Sequence, residues 1–243
     1  MSFVLLMMAH QFGDYIFQSA QMVFHKSESS IWVIFHSAVY TLCVLIFALL
    51  WGNTNNLTSI MYVVFLSHVA TDFIRIESRR KFGANLEFLL FCVDQLIHIV
   101  ILYFCSKLLS DSSKTIEGIS SYLGIEITVR RLFILFSYIT ITTPAAVFVK
   151  HILNSVQSNT SICAESVGTS DNTGTVIGIL ERILLLSLTI IDQYAVIGFV
   201  LAAKSMARFK NFDDKAFAER YLIGTLSSIG IVIVLASIFH FLK

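Results

Sequence analysis

Seven ionisable side chains interrupt the apolar first hundred residues in a regular order: His10 and Asp14, His36, His68 and Asp72, then Asp94 and His98. Each His/Asp pair is four residues apart, which puts both side chains on one face of a helix. Imidazoles and carboxylates in these numbers are a ligand set for one or two divalent transition metals, with zinc the expected ion. A bound metal holds the aspartates ionised and the histidines neutral, which removes the cost of burying them unpaired. It also acidifies water and polarises a scissile bond, so the chemistry in view is hydrolysis. Asp14, Asp72 and Asp94 are the candidate catalytic carboxylates, each a ligand or a general base. Gln11, Gln18, Tyr40 and Gln95 flank or continue the polar faces and are expected to hydrogen-bond the ligands from outside.

These residues need helices that lie in a membrane. The chain is 56% hydrophobic and only 14% charged, with mean hydropathy +0.78, whereas a soluble domain is about 25% charged. Several apolar runs reach the roughly 20 residues needed to cross a bilayer as helix. The expected fold is all-α, a polytopic transmembrane bundle of about seven helices over 2–24, 31–51, 57–78, 85–108, 129–153, 177–205 and 214–241. Short loops at 25–30 and 52–56 make the first four antiparallel neighbours. Residues 1–108 then form a four-helix core carrying the His/Asp site, 109–128 a polar connector, and 129–243 a three-helix section with a flexible loop at 154–176. Pro144, the only proline, is expected to kink the fifth helix.

Chain direction strengthens the pattern. Arg75, Arg79, Arg80 and Lys81 crowd the loop after the third helix, which places that loop in the cytoplasm. The first and third helices run toward it and carry His before Asp; the fourth runs away and carries Asp before His. In all three the aspartate is therefore nearer the cytoplasm and the histidine about 6 Å deeper, and the six side chains are expected to converge in one pocket with His36, near the aspartate layer, at its edge. A lone polar residue is accounted for by interhelical hydrogen bonding. An ordered layer on four helices is not, and ionisable groups in a membrane interior mark function. A second basic cluster, Lys204, Arg208, Lys210 and Lys215, falls on the opposite face if the fourth, fifth and sixth helices all span. Either one segment does not span fully or that cluster lies outside.

"HQFGDYI" and "HVATDFI" share His-x-x-x-Asp-aromatic-Ile, as a duplicated hairpin would. "DQYAV" from Asp192 echoes "DQLIH" from Asp94, with Val196 in place of the histidine. Lys204 and Arg208, one turn apart, form a candidate anion site for a phosphate or lipid headgroup, beside the alternative of interfacial anchoring. Net charge of +1 implies no nucleic-acid partner. Cys43, Cys92, Cys105 and Cys163 are scattered and form no disulfide framework or Cys-x-x-Cys metal site. The first segment has no basic n-region or small-residue cleavage site and is expected to be a retained helix.

The opening His-Gln-x-Gly-Asp-x-x-x-Gln, met by His10, Gln11, Gly13, Asp14 and Gln18, resembles that of a bacterial family of multi-pass membrane proteins of unknown function. The resemblance continues through "FHSAVYT", "SHVATDF" and "DQLIH" and covers about the first hundred residues. It implies a bacterial inner-membrane location and carries no activity with it. In motif style the chain is distantly similar to membrane-embedded metal-dependent hydrolases. The leading expectation is hydrolysis of a lipid-linked or membrane-accessible substrate. The alternatives are a proton- or metal-ion-coupled transporter and a non-catalytic scaffold.

Overall fold

The computed structural model describes residues 1–52, 56–82, 86–109, 114–158 and 172–242. The described residues form α-helices with one π and one 3-10 segment, in the order α1 (Ser2–Gln11), π segment (Phe12–Ile16), α2 (Ala20–Glu28), α3 (Ser30–Trp51), α4 (Leu57–Phe82), α5 (Glu87–Leu108), α6 (Lys114–Leu123), α7 (Val129–Thr140), α8 (Thr143–Ser158), α9 (Asn172–Ile190), α10 (Tyr194–Ala207), the 3-10 turn (Phe209–Asn211) and α11 (Lys215–Phe241). The fold is all-α, but eleven α-helices among the described residues replace the expected seven. The difference comes from breaks inside three of the expected helices and from α6.

Among the described residues α3, α4, α5 and α11 are long and apolar enough to cross a membrane. The 22 residues of α3 rise about 33 Å at 1.5 Å each, enough for the roughly 30 Å hydrocarbon layer. α3 stops at Gly52, whose φ of 87° is the left-handed cap that glycine adopts without steric cost. The outer faces of these helices are apolar: Ile34, Phe35, Leu42 and Ile46 on α3, and Leu89, Leu96 and Phe104 on α5, are exposed. Large exposed apolar bands of this kind face lipid. This is a polytopic membrane protein.

The chain divides into two compact units, 1–136 and 137–243. In the first, α1 packs on α3 and α5, α3 on α4, α4 on α5, and α6 on α3. Leu5, Leu6, Val44, Ile60, Val64 and Leu102 fill one end of this bundle as a buried apolar cluster. The expected first helix is not continuous. It passes from α1 into the π segment, where Phe17 N donates to Phe12 O at 2.8 Å, and stops before Ser19. Ser19 Oγ accepts from Met22 N and starts α2 afresh.

In the second unit α11 packs on α9 and α8, and α10 on α9. The expected fifth helix is split at Pro144 into α7 and α8, bent by 46°. Arg182, buried at 3% exposure, braces the backbone at this break. Its guanidinium donates to Ile141 O at 2.6 Å and Thr142 O at 3.4 Å. The expected sixth helix is split into α9 and α10 at Asp192, whose φ is 60°. α8 and α9 extend into both ends of the loop expected at 154–176. Its centre, 159–171, with Cys163, lies outside the described residues.

Candidate functional site

The centre of the first unit is polar. Asp14 is placed there by the π segment and by Gly13, which lets that segment press against α3. A Cβ at Gly13 would stand 2.6 Å from Tyr40 Cδ2 and 3.2 Å from Tyr40 Cα. The close approach sets Asp14 against His36, one turn before Tyr40 on α3, and against His68 on α4. Asp14 Oδ1 is 3.2 Å from His36 Nε2 and 3.5 Å from His68 Nε2. Asp14 Oδ2 is 3.5 Å from His10 Nδ1. His10, His36 and His68 are each 3% exposed or less. Three imidazoles thus converge on one carboxylate in the protein interior.

The hydrogen bonds behind these rings assign their tautomers. His98 Nδ1 lies 2.8 Å from the Asp94 backbone carbonyl. A carbonyl only accepts, so this nitrogen carries the proton. Neutral His98 then offers a lone pair at Nε2, which stands 2.7 Å from His68 Nδ1. His68 donates from Nδ1, so its Nε2 is a lone pair, and that lone pair points at Asp14. His10 repeats the logic. Gln95 Nε2 donates to Asp94 Oδ2 at 3.2 Å, which turns Gln95 Oε1 toward Tyr15 and His10. Gln95 Oε1 accepts from Tyr15 OH at 2.7 Å and from His10 Nε2 at 3.1 Å. His10 Nδ1 is then a lone pair, free to accept from Tyr40 OH at 3.2 Å. With neutral rings, lone pairs on His10 and His68 face the two oxygens of Asp14. That arrangement repels itself unless a cation sits in it, either a proton on a ring or a metal ion.

Three of these residues could hold a metal ion. Asp14, His36 and His68 each offer one ligand atom, and these lie within 4.8 Å of one another. Bonds of about 2.0–2.1 Å in a tetrahedral site separate ligand atoms by about 3.3–3.4 Å. The distances of 3.2 Å and 3.5 Å to Asp14 Oδ1 straddle that value. Tyr40 stacks on the His68 ring at 4.0 Å and 10°, which holds its plane.

The other two aspartates have cations of their own. Asp72 Oδ2 is 2.5 Å from Lys26 Nζ, with both side chains 8% exposed, and 3.7 Å from His68 Nε2. Asp94 Oδ2 is 3.2 Å from Arg75. The expected layering therefore becomes an inner group, Asp14 with His10, His36 and His68, and an outer group. His36 is at the centre, where the sequence pattern had put it at the edge. His98 stands behind His68 as its hydrogen-bond partner. Gln95 and Tyr40 make the supporting bonds just described; Gln11 is buried beside His10, and Gln18 lies in the break before α2. Sequence reasoning missed Lys26 and Tyr15. Lys26 has one signal in the sequence, as the only lysine or arginine between the first two apolar segments, and falls in the expected loop at 25–30.

In the second unit Lys204 does not stand with Arg208 as a pair of open cations. Its Nζ is 2.5 Å from Glu181 Oε2 and 5.4 Å from the Tyr221 ring centre. Asp192 accepts from Tyr194 OH at 3.0 Å and lies 3.6 Å from His240 Nε2. No third acid or imidazole joins them among the described residues.

A family model described as "Protein of unknown function (DUF3307)" matches residues 2–126, which include every residue of the His/Asp cluster. No curated protein and no solved structure matches the chain.

Proposed function

The chain belongs to the DUF3307 family of proteins of unknown function, and from that premise we propose that its first unit is a metal-dependent hydrolase centre. Asp14, His36 and His68 would hold one divalent transition ion, zinc by ligand type, in a bacterial inner membrane. The observation that carries this reading is the convergence of Nε2 of His36 and of His68 on Asp14 Oδ1, at 3.2 Å and 3.5 Å, with the His68 lone pair turned inward by His98. Two imidazoles and one carboxylate is the protein ligand set of catalytic zinc in many hydrolases, whereas structural sites are mostly built from cysteines and closed by four protein ligands.

A bound ion supplies Lewis acidity, polarising a carbonyl or phosphoryl and acidifying water. The rest is the work of this chain's own groups. His98 and the Asp94 carbonyl keep His68 in the ligating tautomer. Gln95 and Tyr40 orient His10, whose Nδ1 is 3.5 Å from Asp14 Oδ2 and can take a proton in the site. Asp72 stands 3.7 Å from His68 Nε2 and is the second carboxylate within reach. The substrate is a membrane-accessible or lipid-linked molecule, since the centre sits among helices whose outer faces are apolar.

Metal content tests the reading. Purified wild type should carry about one transition ion per chain, and His36→Ala with His68→Ala should remove most of it. Equal metal in both by elemental analysis overturns the assignment. The transporter reading draws on one observation, the breaks at α7/α8 and α9/α10, because discontinuous helices line transport sites in many carriers. Cysteine labelling at positions near Asp14, Asp72 and Asp94 separates the two. Access from one membrane face supports hydrolysis; access from either face, switched by ion or substrate, supports transport.

A further inference from the structure

A cleft of about 470 Å³ opens between the end of α2, the start of α3 and the last turns of α4. That volume falls within the range of small-molecule sites, about 300–1,000 Å³. The cleft lies where two apolar spans end. Trp32, stacked on His25 at 5.1 Å, and the basic run Arg79, Arg80 and Lys81 gather at that end. Aromatic and basic residues at span ends mark the headgroup level of a bilayer. One wall of the cleft is apolar, made by Val33, Phe73 and Ile74. Phe73 and Ile74 are exposed at 39% and 64%, so this wall runs on into lipid-facing surface. The charged lining is balanced: two cations, Lys26 and Arg80, and two carboxylates, Glu28 and Glu77. Lys26 is buried and held by Asp72 at 2.5 Å, so it is floor and not a free cation. The Arg80, Glu28 and Glu77 side chains are each more than half exposed. Arg80 donates to Ser27 O at 2.7 Å and stands 3.7 Å from Glu77. A guanidinium has five N–H donors, so others remain. Ser29, whose side chain makes no capping bond, adds a hydroxyl.

We propose that this cleft holds the head of a zwitterionic phospholipid with a primary ammonium, of the phosphatidylethanolamine class. A lone anion entering the cleft meets Glu28 and Glu77, and a lone cation meets Lys26 and Arg80; like charges at close range repel. A head carrying both signs meets each with its opposite. The phosphate accepts from the Arg80 guanidinium, whose paired N–H donors match its oxygens, and from the Ser29 hydroxyl. The ammonium has three N–H donors and lies toward Glu28 and Glu77. A choline head has the same charge and no N–H to give, so the carboxylates hold it less well. The acyl chains leave along Phe73 and Ile74 into the bilayer, which keeps both out of water. Lys26 keeps Asp72, and Arg80 keeps Ser27. A head bound here lies one side chain from the His/Asp centre, since Lys26 reaches Asp72 and Asp72 Oδ2 is 3.7 Å from His68 Nε2. The binding does not depend on the metal reading.

The test uses full-length protein, delipidated in detergent and titrated by calorimetry with dihexanoyl phospholipids. Phosphatidylethanolamine should bind about tenfold tighter than phosphatidylcholine or phosphatidylglycerol, the scale of one charge-assisted hydrogen bond. Glu28→Gln with Glu77→Gln should erase the preference over phosphatidylcholine. Glu28→Gln alone, which leaves Arg80 its carboxylate, should lose part of it. Arg80→Gln should weaken all three lipids, and Arg80→Lys should keep their order. The melting temperature of each variant should match wild type, because the replaced side chains are exposed. Phosphoethanolamine without chains should bind at least about tenfold more weakly than the lipid, since it buries nothing against Phe73 and Ile74. Equal affinity for phosphatidylethanolamine and phosphatidylcholine in wild type overturns the proposal, as does a preference that survives both glutamate changes. Tighter binding of phosphatidylglycerol marks an anion site and overturns it too. Phosphoethanolamine binding as tightly as the lipid overturns the lipid as occupant. The zinc content of the same protein tests the metal centre separately, and neither result decides the other.

Discussion

At the scale of single residues, the centre is a question of which nitrogen carries which proton. The Asp94 carbonyl settles His98, His98 settles His68, and the Gln95 amide settles His10. None of these supporting groups touches the proposed ion, yet they decide whether lone pairs or protons point inward. His98→Ala should therefore weaken zinc binding by about 10–100-fold without abolishing it, as removal of a ligand's hydrogen-bond partner does. His68→Ala should leave no tight binding. Competition with a chelator of known affinity measures both. Equal affinity in His98→Ala and wild type would show that the His68–His98 bond sets nothing. A deletion as complete as His68→Ala would make His98 a ligand in its own right.

At the scale of elements, the π segment and the glycine within it hold the arrangement. The π segment follows α1 for five residues, to Ile16, and Gly13 brings it onto Tyr40. The nearest obstacle to a larger residue includes Tyr40 Cα, which cannot rotate away. Gly13→Ala must therefore separate α1 from α3 or displace Tyr40 from His68. Overpacking of this kind costs about 1–3 kcal/mol. The expected result is a lower melting temperature together with weakened zinc binding, read by thermal unfolding with and without the ion. A variant as stable and as metal-competent as wild type would show that the contact is not needed. The breaks in the second unit follow other chemistry. Pro144 removes a backbone donor, and Arg182 braces the bend through Ile141 O and Thr142 O.

At the scale of the whole molecule, the apolar outer faces of α3, α4, α5 and α11 set its surroundings. Only between 22% and 39% of the residues in their apolar stretches are buried, so each keeps exposed apolar surface. Such surface in water would drive aggregation. The protein should sediment with membranes, resist alkaline carbonate washing and enter solution only with detergent. Recovery in the carbonate supernatant would contradict a spanning bundle.

The sequence by itself determined the class, the helical setting and the identity of the polar residues. Composition, apolar run length and the four-residue His/Asp spacing are local quantities, and a helix converts spacing into a shared face without help from the rest of the chain. The reversal of His and Asp order on α5 likewise required only that neighbouring helices be antiparallel. Only the tertiary structure decided the roles. Asp14, Asp72 and Asp94 look alike in sequence, and they part company because Lys26 and Arg75 arrive from elsewhere to take two of them. His36 moved from the edge to the centre for the same reason, since rotation of α3 about its axis is set by packing against α1 and α4. The break at Ser19 was hidden because an apolar run cannot show where a side chain will cap a new helix. That break turns Lys26 from a loop cation into the buried partner of Asp72, because a charge that enters the interior must find its counter-charge there.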